Sequence, residues 1–373
     1  MTDRERMLAV LNHRQPDRIP WIPRLRLWYN AAVLAGTLPD RFAGLSHREV
    51  QRAIGAGWPS LDGRIYRIEH DDVDIVETVD GWLTTKVYHT PVGSVREVTR
   101  HSPELIAHAL PGEVIEHLLK GPDDYTIWEW VVKHRRYVPA FDEFRAFDAD
   151  LGDDGLPVVQ IEGVPIYDFL DVLVGFNDAY YHLVDYPDEV DHLLTVMAEV
   201  HRDRLWPLAS ASPAQAILNG THLSSQMTPP RLFRKHILPY YEEANAVLHQ
   251  AGKWTVMHAD DDVSAIVDLV EAAGWDMLDS FVTAPMVPLT LAEARATWGN
   301  RVIISGGLPS VLLMPEIPEE TFRAYVDELF RVIAPGDAFM LAVADNVMPN
   351  AVIDRIEWVS EQVAERGRYP LAG

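Results

Sequence analysis

Cysteine is absent from the 373 residues of this chain. That absence excludes disulfide bonds, a cysteine nucleophile and any metal site or cluster held by thiolates. Long apolar runs are missing as well, because no stretch reaches the roughly 18–20 residues of a membrane-spanning helix. Basic residues are few, 32 against 56 acidic ones, and the net charge of −24 argues against nucleic acid or an anionic membrane as a partner.

Two further signals are missing. The first residues are charged and lack the apolar core of a secretory signal, so we expect a cytoplasmic protein. No glycine-rich dinucleotide loop follows the first strands, and phosphate-loop signals are limited to Gly306 and Gly307. Hydrophobic residues make up 48% of the chain, enough for a large core, and we expect one domain spanning residues 1–373.

The second half of the chain alternates short apolar segments with amphipathic ones. Six strand-then-helix units are predicted from residue 158 onward, which is typical of a parallel sheet covered on both faces. An extended segment at residues 19–23 and a strand near residues 74–76 bring the count to eight. We therefore predict a (β/α)8 barrel of the TIM type rather than a doubly wound sheet.

The residues before 158 are predicted to elaborate this barrel. A helix is expected near residues 2–11. Alternating polar and apolar residues on both sides of residues 90–93 predict a β-hairpin. Residues 103–150 are predicted to be mostly helical.

Polar side chains follow several of the predicted strands. The carboxyl ends of the strands of a parallel barrel open on one face, where active sites lie. His258 and Asp260 follow one strand, and alternate residues of a continuing strand point to the same side. Asp345 ends a later strand. One imidazole and two carboxylates can bind zinc, iron or manganese, so the sequence predicts a divalent metal site.

Other residues at the predicted strand ends are candidates for chemistry or binding. His222 and Glu162 could complete the metal shell or act as acid and base. The alternatives are a surface position for His222 and a hydrogen bond to loop backbone for Glu162. Arginines after the first strand could bind a carboxylate or phosphate, or simply lie on the surface. The residues expected to contact a substrate are Arg24, Arg26, Trp28, Tyr29 and Asn219.

Several segments resemble the uroporphyrinogen decarboxylase superfamily, and together they span nearly the whole chain. They are RERML at residues 4–8 with QPDRIP at 15–20, YHTPVGS at 88–94, TPPRLF at 228–233 and LPYY at 238–241. The resemblance implies a distorted (β/α)8 barrel. It is closer to the zinc- and corrinoid-dependent methyltransferase branch than to true uroporphyrinogen decarboxylase.

The resemblance also implies a ligand set. In the methyltransferase branch, zinc is held by a His-x-Cys pair and a later cysteine, and the matching positions here are His258, Asp260 and Asp345. Aspartate replaces both cysteines, so the geometry of the site is expected to survive without its soft ligands. In the metal-free decarboxylase branch an arginine-rich stretch follows the first strand, and only Arg24 and Arg26 remain of it here.

The function expected from the resemblance is that of a metal-dependent methyltransferase-like enzyme that activates a thiol, hydroxyl or water. A corrinoid would be carried on a separate protein, and a homodimer is expected because superfamily members are often dimers. Three alternatives remain open: a cofactor-free uroporphyrinogen decarboxylase, a metal-assisted hydrolase or lyase, and a non-catalytic barrel that binds a small molecule.

Overall fold

The computed structural model describes residues 1–59, 61–107 and 110–371, which form twelve strands and sixteen α-helices. The strands are β1 Tyr66–His70, β2 Asp74–Asp80, β3 Leu83–Thr90, β4 Gly93–Arg100, β5 Glu113–Glu116, β6 Arg135–Pro139, β7 Val158–Gln160, β8 Ala216–Thr221, β9 Trp254–His258, β10 Met277–Phe281, β11 Ile303–Pro309 and β12 Phe339–Ala344.

The helices are α1 Asp3–Leu11, α2 Arg26–Ala35, α3 His47–Ile54, α4 Pro103–Ala107, α5 Pro122–Lys133, α6 Phe141–Leu151, α7 Pro165–Asp168, α8 Phe176–Asp185, α9 Pro187–Val200, α10 Trp206–Ala211, α11 Pro230–Leu232, α12 Leu238–Gln250, α13 Val267–Ala272, α14 Leu291–Trp298, α15 Glu319–Ile333 and α16 Ile353–Arg366. None of these helices combines the length and the apolar character needed to cross a membrane.

The central sheet has six parallel strands in the order β12-β11-β10-β9-β8-β7. This confirms the six predicted strand-then-helix units. The predicted extended segment near the amino terminus lies beside β12, where Trp21 pairs with Leu341 in the parallel sense. Two backbone hydrogen bonds of 2.9 Å, from Ile22 to Leu341 and from Leu341 to Pro20, hold it there. The result is a (β/α)8-type barrel that the described residues do not close with regular strands.

One predicted barrel strand is wrong. The segment near residues 74–76 belongs to β2, which is the edge strand of a separate antiparallel sheet in the order β2-β3-β4-β5. The predicted hairpin within that sheet is confirmed, because β3 and β4 pair across residues 90–93. The helical prediction for residues 103–150 is wrong in part, since β5 pairs with β4 and β6 with β1. The β1–β6 pairing joins distant segments, and both pairings override local preference.

Helix α1 closes the amino-terminal end of the barrel. A capping box fixes its first turn: Thr2 accepts the backbone N–H of Glu5, and Glu5 accepts that of Thr2. Its buried Met7, Val10 and Leu11 pack on the inward-facing apolar residues of the strands, namely Val158, Ala216, Leu218, Val256, Met277, Ile303, Met340 and Ala342. This end of the barrel is therefore filled with apolar side chains.

Two residues further along the same strands, the side chains that face the barrel interior are polar. Side chains alternate along a strand, so His258 follows Val256, Asp279 follows Met277 and Ser305 follows Ile303 into the interior. His258 and Asp279 are also cross-strand partners in the register of β9 and β10. Strand register alone thus brings an imidazole and a carboxylate together at the carboxyl-terminal face.

Candidate active site

His258 is the centre of the polar cluster at this face. Its Nδ1 lies 3.2 Å from Asp279 Oδ2. On the other side of the ring, Nε2 lies 3.5 Å from Asp260 Oδ2 and 3.7 Å from Asp345 Oδ1. The structure therefore brings together His258, Asp260 and Asp345, the three residues that the sequence predicts as metal ligands.

His222 joins the cluster from the loop after β8. Its Nδ1 lies 2.8 Å from Asp260 Oδ1, and its ring stands edge-on to that of His258 with centroids 5.2 Å apart. His222, His258 and Asp260 each offer one ligand atom within 4.8 Å of the others. The side chain of His222 is 46% exposed, so His222 is a surface loop residue that also contacts the cluster.

Arg24 connects two of the carboxylates. It lies at the carboxyl end of the segment beside β12, and its Nη1 donates to Asp345 Oδ1 at 2.6 Å while Nη2 bonds Asp279 Oδ2. A buried guanidinium between two aspartates compensates their charge. Arg24 therefore positions Asp345 and Asp279 from the segment that lies beside β12.

The electrostatics of the cluster favour a cation at its centre. Burial disfavours the charged imidazolium, but hydrogen bonds to Asp260 and Asp279 outweigh it and raise the pKa of His258 to about 9. Burial likewise opposes ionisation of Asp260, yet its bonds to His222 and His258 hold its pKa below the usual range. For Asp279, the charge of Arg24 and the bond from His258 overcome burial and lower the pKa to about 2.

The arrangement fits a divalent ion. Ligand atoms 2.0–2.2 Å from a tetrahedral metal lie roughly 3.3–3.6 Å from one another, close to the 3.5 and 3.7 Å that separate His258 Nε2 from Asp260 and Asp345. A ligating histidine ordinarily donates its other ring N–H to a carboxylate, and Asp279 occupies that position. The donor set is imidazole and carboxylate, which suits zinc, iron or manganese.

Two residues at these strand ends have left-handed backbones without being glycine. His222 has φ of 52° and Ser280, next to Asp279, has φ of 57°. Such conformations cost of order 1–3 kcal/mol for a residue with a Cβ, and they concentrate at functional sites. Their location on both sides of His258 agrees with a functional role for this face.

Glu162 lies in a second polar cluster, away from the predicted ligands. Its Oε1 accepts from Arg135 Nη1 at 2.6 Å, Oε2 accepts from the Tyr137 hydroxyl, and His201 Nε2 lies 3.6 Å from Oε2. Burial would raise the pKa of Glu162, but the bond from His201 and the charge of Arg135 lower it to about 2. Sequence analysis missed Arg135, Tyr137 and His201 because none follows a central strand.

A cavity of about 450 Å³ is lined by residues of both clusters, including Glu162 and His222. The two residues predicted as catalytic thus border the same space. Asp168 also lines it, and burial together with the charge of Glu162 raises the pKa of Asp168 to about 8, against the opposing charge of Arg135. Asp168 carries no strand-end signal in the sequence.

The predicted substrate contacts are divided by the structure. Arg24 and Arg26 line a smaller cavity of about 140 Å³ together with His47, Trp58 and Asn346. Arg26 is exposed at the start of α2, and its Nη1 lies 2.9 Å from Asp62 Oδ1. Contact with a substrate thus stays a prediction for these two arginines.

The other three predicted contacts are part of the packing. Trp28 is buried with its ring edge-on to Phe42, and the Tyr29 hydroxyl donates to the Leu45 carbonyl. Asn219 faces away from the barrel interior and is buried, with its amide bonded to Asn245 and Trp275. The alternation of β8 explains this, since Leu218 faces inward and its neighbour faces the helices.

The parallel strands and the polar carboxyl-terminal face define a barrel of the enzyme-bearing (β/α)8 class. The sequence model described as uroporphyrinogen decarboxylase (URO-D) matches residues 164–366, more than half of the chain. The chain belongs to this family, as the sequence resemblance predicts.

A solved structure shares the fold. A methyltransferase from Methanosarcina mazei superposes with a TM-score of 0.53 at 16% identity, covering 98% of this chain and 99% of the other. A Listeria monocytogenes protein titled as a vitamin B12-independent methionine synthase gives a TM-score of 0.38 at 11% identity, with 94% and 96% covered. No curated protein matches the sequence.

Proposed function

We propose that the chain is a metal-dependent, methyltransferase-like enzyme whose divalent cation is held by His258, Asp260 and Asp345, with His222 beside them as the acid/base. One observation carries the proposal: His258 Nε2 lies at ligand-like distances from both Asp260 and Asp345, with the far nitrogen of His258 held by Asp279. Glu162 is left out of the shell because it belongs to the second polar cluster, where it bonds to Arg135 and Tyr137.

A bound cation at this position supplies a Lewis acid that lowers the pKa of a thiol, hydroxyl or water. Carboxylate ligands donate less electron density to a metal ion than thiolates do, so the ion would remain a stronger Lewis acid. A metal with hard ligands also favours a substrate that binds through oxygen. Zinc is the first choice, with iron and manganese as alternatives.

The chain's own residues prepare the site before a substrate arrives. Asp279 faces Nδ1 of His258 and so leaves Nε2 on the side of Asp260 and Asp345, where it would serve as the metal-binding nitrogen. Arg24 clamps Asp279 and Asp345 and prevents the two carboxylates from repelling each other. His222 stands at the mouth of the cavity, where it can exchange a proton with a bound molecule.

The methyl-transfer part of the proposal is supported by the sequence positions at which Asp260 and Asp345 replace cysteines. A relative of the same fold, the Methanosarcina mazei protein, is named as a methyltransferase. In this proposal the methyl group comes from a corrinoid carried on a separate protein.

Uroporphyrinogen decarboxylation is the second candidate, and the identity of the matching family favours it. It needs cationic groups for a substrate with several carboxylates. Arg24, however, is already neutralised by Asp279 and Asp345, and Arg26 by Asp62. We therefore rank it second.

The decisive experiment is elemental analysis of protein purified without added metal or chelator. We expect about one zinc, iron or manganese per chain, as for a catalytic site with three protein ligands and one open position. Asp260→Ala and Asp345→Ala should each lose the metal and any methyl-transfer activity. Asp261→Ala, in the same loop but outside the cluster, is the matched control and should retain both. Asp279→Asn should keep the ligands but weaken metal affinity about 10–100-fold.

Metal retained at full occupancy in both Asp260→Ala and Asp345→Ala would refute the ligand assignment. No metal in the unmodified protein, and none taken up from added zinc, iron or manganese, would move the assignment to cofactor-free decarboxylation or to a binding role. Metal with water-dependent turnover and no response to a methyl donor would indicate a hydrolase or lyase.

A further inference from the structure

The cavity between the two polar clusters has an unusual balance of charge. Three carboxylates line it, from Glu162, Asp168 and Asp171. Glu162 is matched by Arg135 and by the Tyr137 hydroxyl. Within residues 1–59, 61–107 and 110–371, the side chains of Asp168 and Asp171 have no hydrogen-bond or ion-pair partner. Above pH 8, where Asp168 is ionised, the cavity therefore has negative charge beyond what the protein itself neutralises.

Aromatic rings form much of the remaining wall, from Tyr66, Tyr167 and Tyr241. The face of a tyrosine ring attracts cations within about 6 Å of its centre. The Tyr66 hydroxyl accepts the backbone N–H of Glu162 at 3.2 Å, and Tyr241 donates to the Asn219 carbonyl at 2.7 Å, so both rings are held in place. A volume of about 450 Å³ lies in the range of small-molecule sites.

The geometry points to this cavity as the binding site for the ammonium group of a cationic substrate, held between the carboxylates of Asp168 and Asp171 and the rings of Tyr66 and Tyr167. The inference deepens the proposed function and rests on it in one respect. His222 lines the cavity and contacts Asp260, so a molecule bound here reaches the proposed cation site. The substrate class is a small ammonium compound carrying an oxygen function.

The state of Asp168 gives the inference a pH signature. Burial and the charge of Glu162 raise the pKa of Asp168 to about 8, while Arg135 opposes the rise and Asp171 adds to it. The tyrosines around Asp168 stay neutral, because burial raises the pKa of each above its usual value; they are Tyr66, Tyr240 and Tyr241. A cationic group binds the ionised aspartate. The affinity of the cavity for a cationic group should therefore rise with pH and level off above pH 8. The expected rise between pH 6.5 and 9 is up to about 30-fold.

The first test compares three probes of nearly the same shape by titration calorimetry at pH 8.5. They are choline, its neutral carbon isostere 3,3-dimethylbutan-1-ol, and the anion 3,3-dimethylbutanoate. We expect choline to bind at least tenfold more tightly than the neutral isostere and the anion to show no binding. Equal affinity for choline and the neutral compound would overturn the inference, and this comparison needs no variant.

The second test locates the charge. Asp168→Asn keeps the shape of the side chain and should weaken choline binding at least tenfold at pH 8.5, with the pH dependence abolished. Asp178→Asn, on the exposed face of α8 and outside the cavity, is the matched control and should leave both unchanged. Unchanged choline affinity in a folded Asp168→Asn protein would contradict the assignment.

Failure of this inference can be told apart from failure of the proposed function. Choline selectivity that survives in Asp260→Ala, in a protein that never contains metal, would leave the ammonium site intact and remove the cation site. A protein that contains stoichiometric metal but does not distinguish choline from its isostere would leave the cation site intact and remove the ammonium site.

Discussion

At the scale of single residues, His258 organises the carboxyl-terminal face. Its two ring nitrogens are directed to different carboxylates, Asp279 on one side and Asp260 with Asp345 on the other. The position suits any cation, because the surrounding aspartates carry more negative charge than Arg24 can neutralise. A proton occupies it when no metal is bound, and this is the origin of the raised pKa of His258.

Glu162 offers a stability test at the same scale. Its pKa lies at about 2 in the folded protein, below the ordinary 4.5, so ionised Glu162 stabilises the fold above pH 4.5 and loses that contribution as pH falls through 2. Glu162→Gln should lower the free energy of unfolding by about 3 kcal/mol at pH 7 and by about half as much at pH 3. Urea titration at both pH values measures the difference.

The matched control for this experiment is Glu243→Gln. Glu243 pairs with Arg202 on the surface, with both side chains more than 40% exposed, so the change should cost less than about 1 kcal/mol. A Glu162→Gln protein as stable as the control variant at pH 7 would show that the Arg135 pair contributes nothing net. The same substitution should also lower the pH midpoint of choline binding, because Glu162 helps to raise the pKa of Asp168.

At the scale of elements, three helical segments have π geometry, and the first of them lines the cavity. They are Phe169–Leu173, His201–Leu205 and Phe233–Ile237. A π turn takes up an extra residue and changes the direction in which its side chains point, and such turns are frequent at functional sites. Asp171 and His201 lie in two of them. This explains how helices on the outside of the sheet contribute residues to a site at the strand ends.

Strand β11 provides a test of the element that supports the site. Gly306 has φ of +149°, and a Cβ there would lie 2.7 Å from the backbone nitrogen and oxygen of Phe281 in β10. Gly306→Ala must therefore separate the two strands, and we expect it to lower the free energy of unfolding by more than about 2 kcal/mol. Thermal and urea unfolding measure the loss.

Gly121→Ala is the control, because a Cβ at Gly121 meets nothing within 4 Å. Its cost should stay within about 1 kcal/mol. If Gly306→Ala were as stable as Gly121→Ala and bound metal normally, close backbone approach between β10 and β11 would not be a requirement of the site.

At the scale of the whole molecule, the two ends of the barrel have different tasks. Helix α1 fills the amino-terminal end with apolar side chains, whereas the carboxyl-terminal face carries the titratable cluster. In parallel barrels the first end serves stability and the second serves chemistry. The net charge of −24 adds a further property of the whole, since it disfavours a polyanionic substrate.

This division predicts a substitution that affects stability without affecting the site. Leu11→Ala empties part of the interior under α1 and should lower the free energy of unfolding by about 2–5 kcal/mol. Metal content and choline affinity should remain those of the unmodified protein below its unfolding transition. Leu34→Ala, with 63% of the side chain of Leu34 exposed on α2, is the control and should change neither property. Loss of metal in Leu11→Ala at temperatures where the protein is folded would contradict the separation of the two ends.

Local pattern in the sequence determines a large part of this protein. The period-2 alternation of β9 and β10 and the apolar character of all six strands predict the parallel sheet, and the strand ends predict His258, Asp260 and Asp345 as neighbours. These features depend on residues one or two positions apart, and the geometry of a strand transmits them directly. The match of residues 164–366 to the URO-D family lies in the same part of the chain.

Tertiary structure decided what depends on contacts between distant segments. Arg24 meets Asp345 across 321 positions, and Arg135 reaches Glu162 from a strand of another sheet. The strand at residues 74–80 lies outside the barrel because it pairs with β3 in the antiparallel sense. Asp168 acquired its raised pKa from burial beside Glu162. A side chain's electrostatic surroundings come from every segment packed against it, so only the folded chain could decide them.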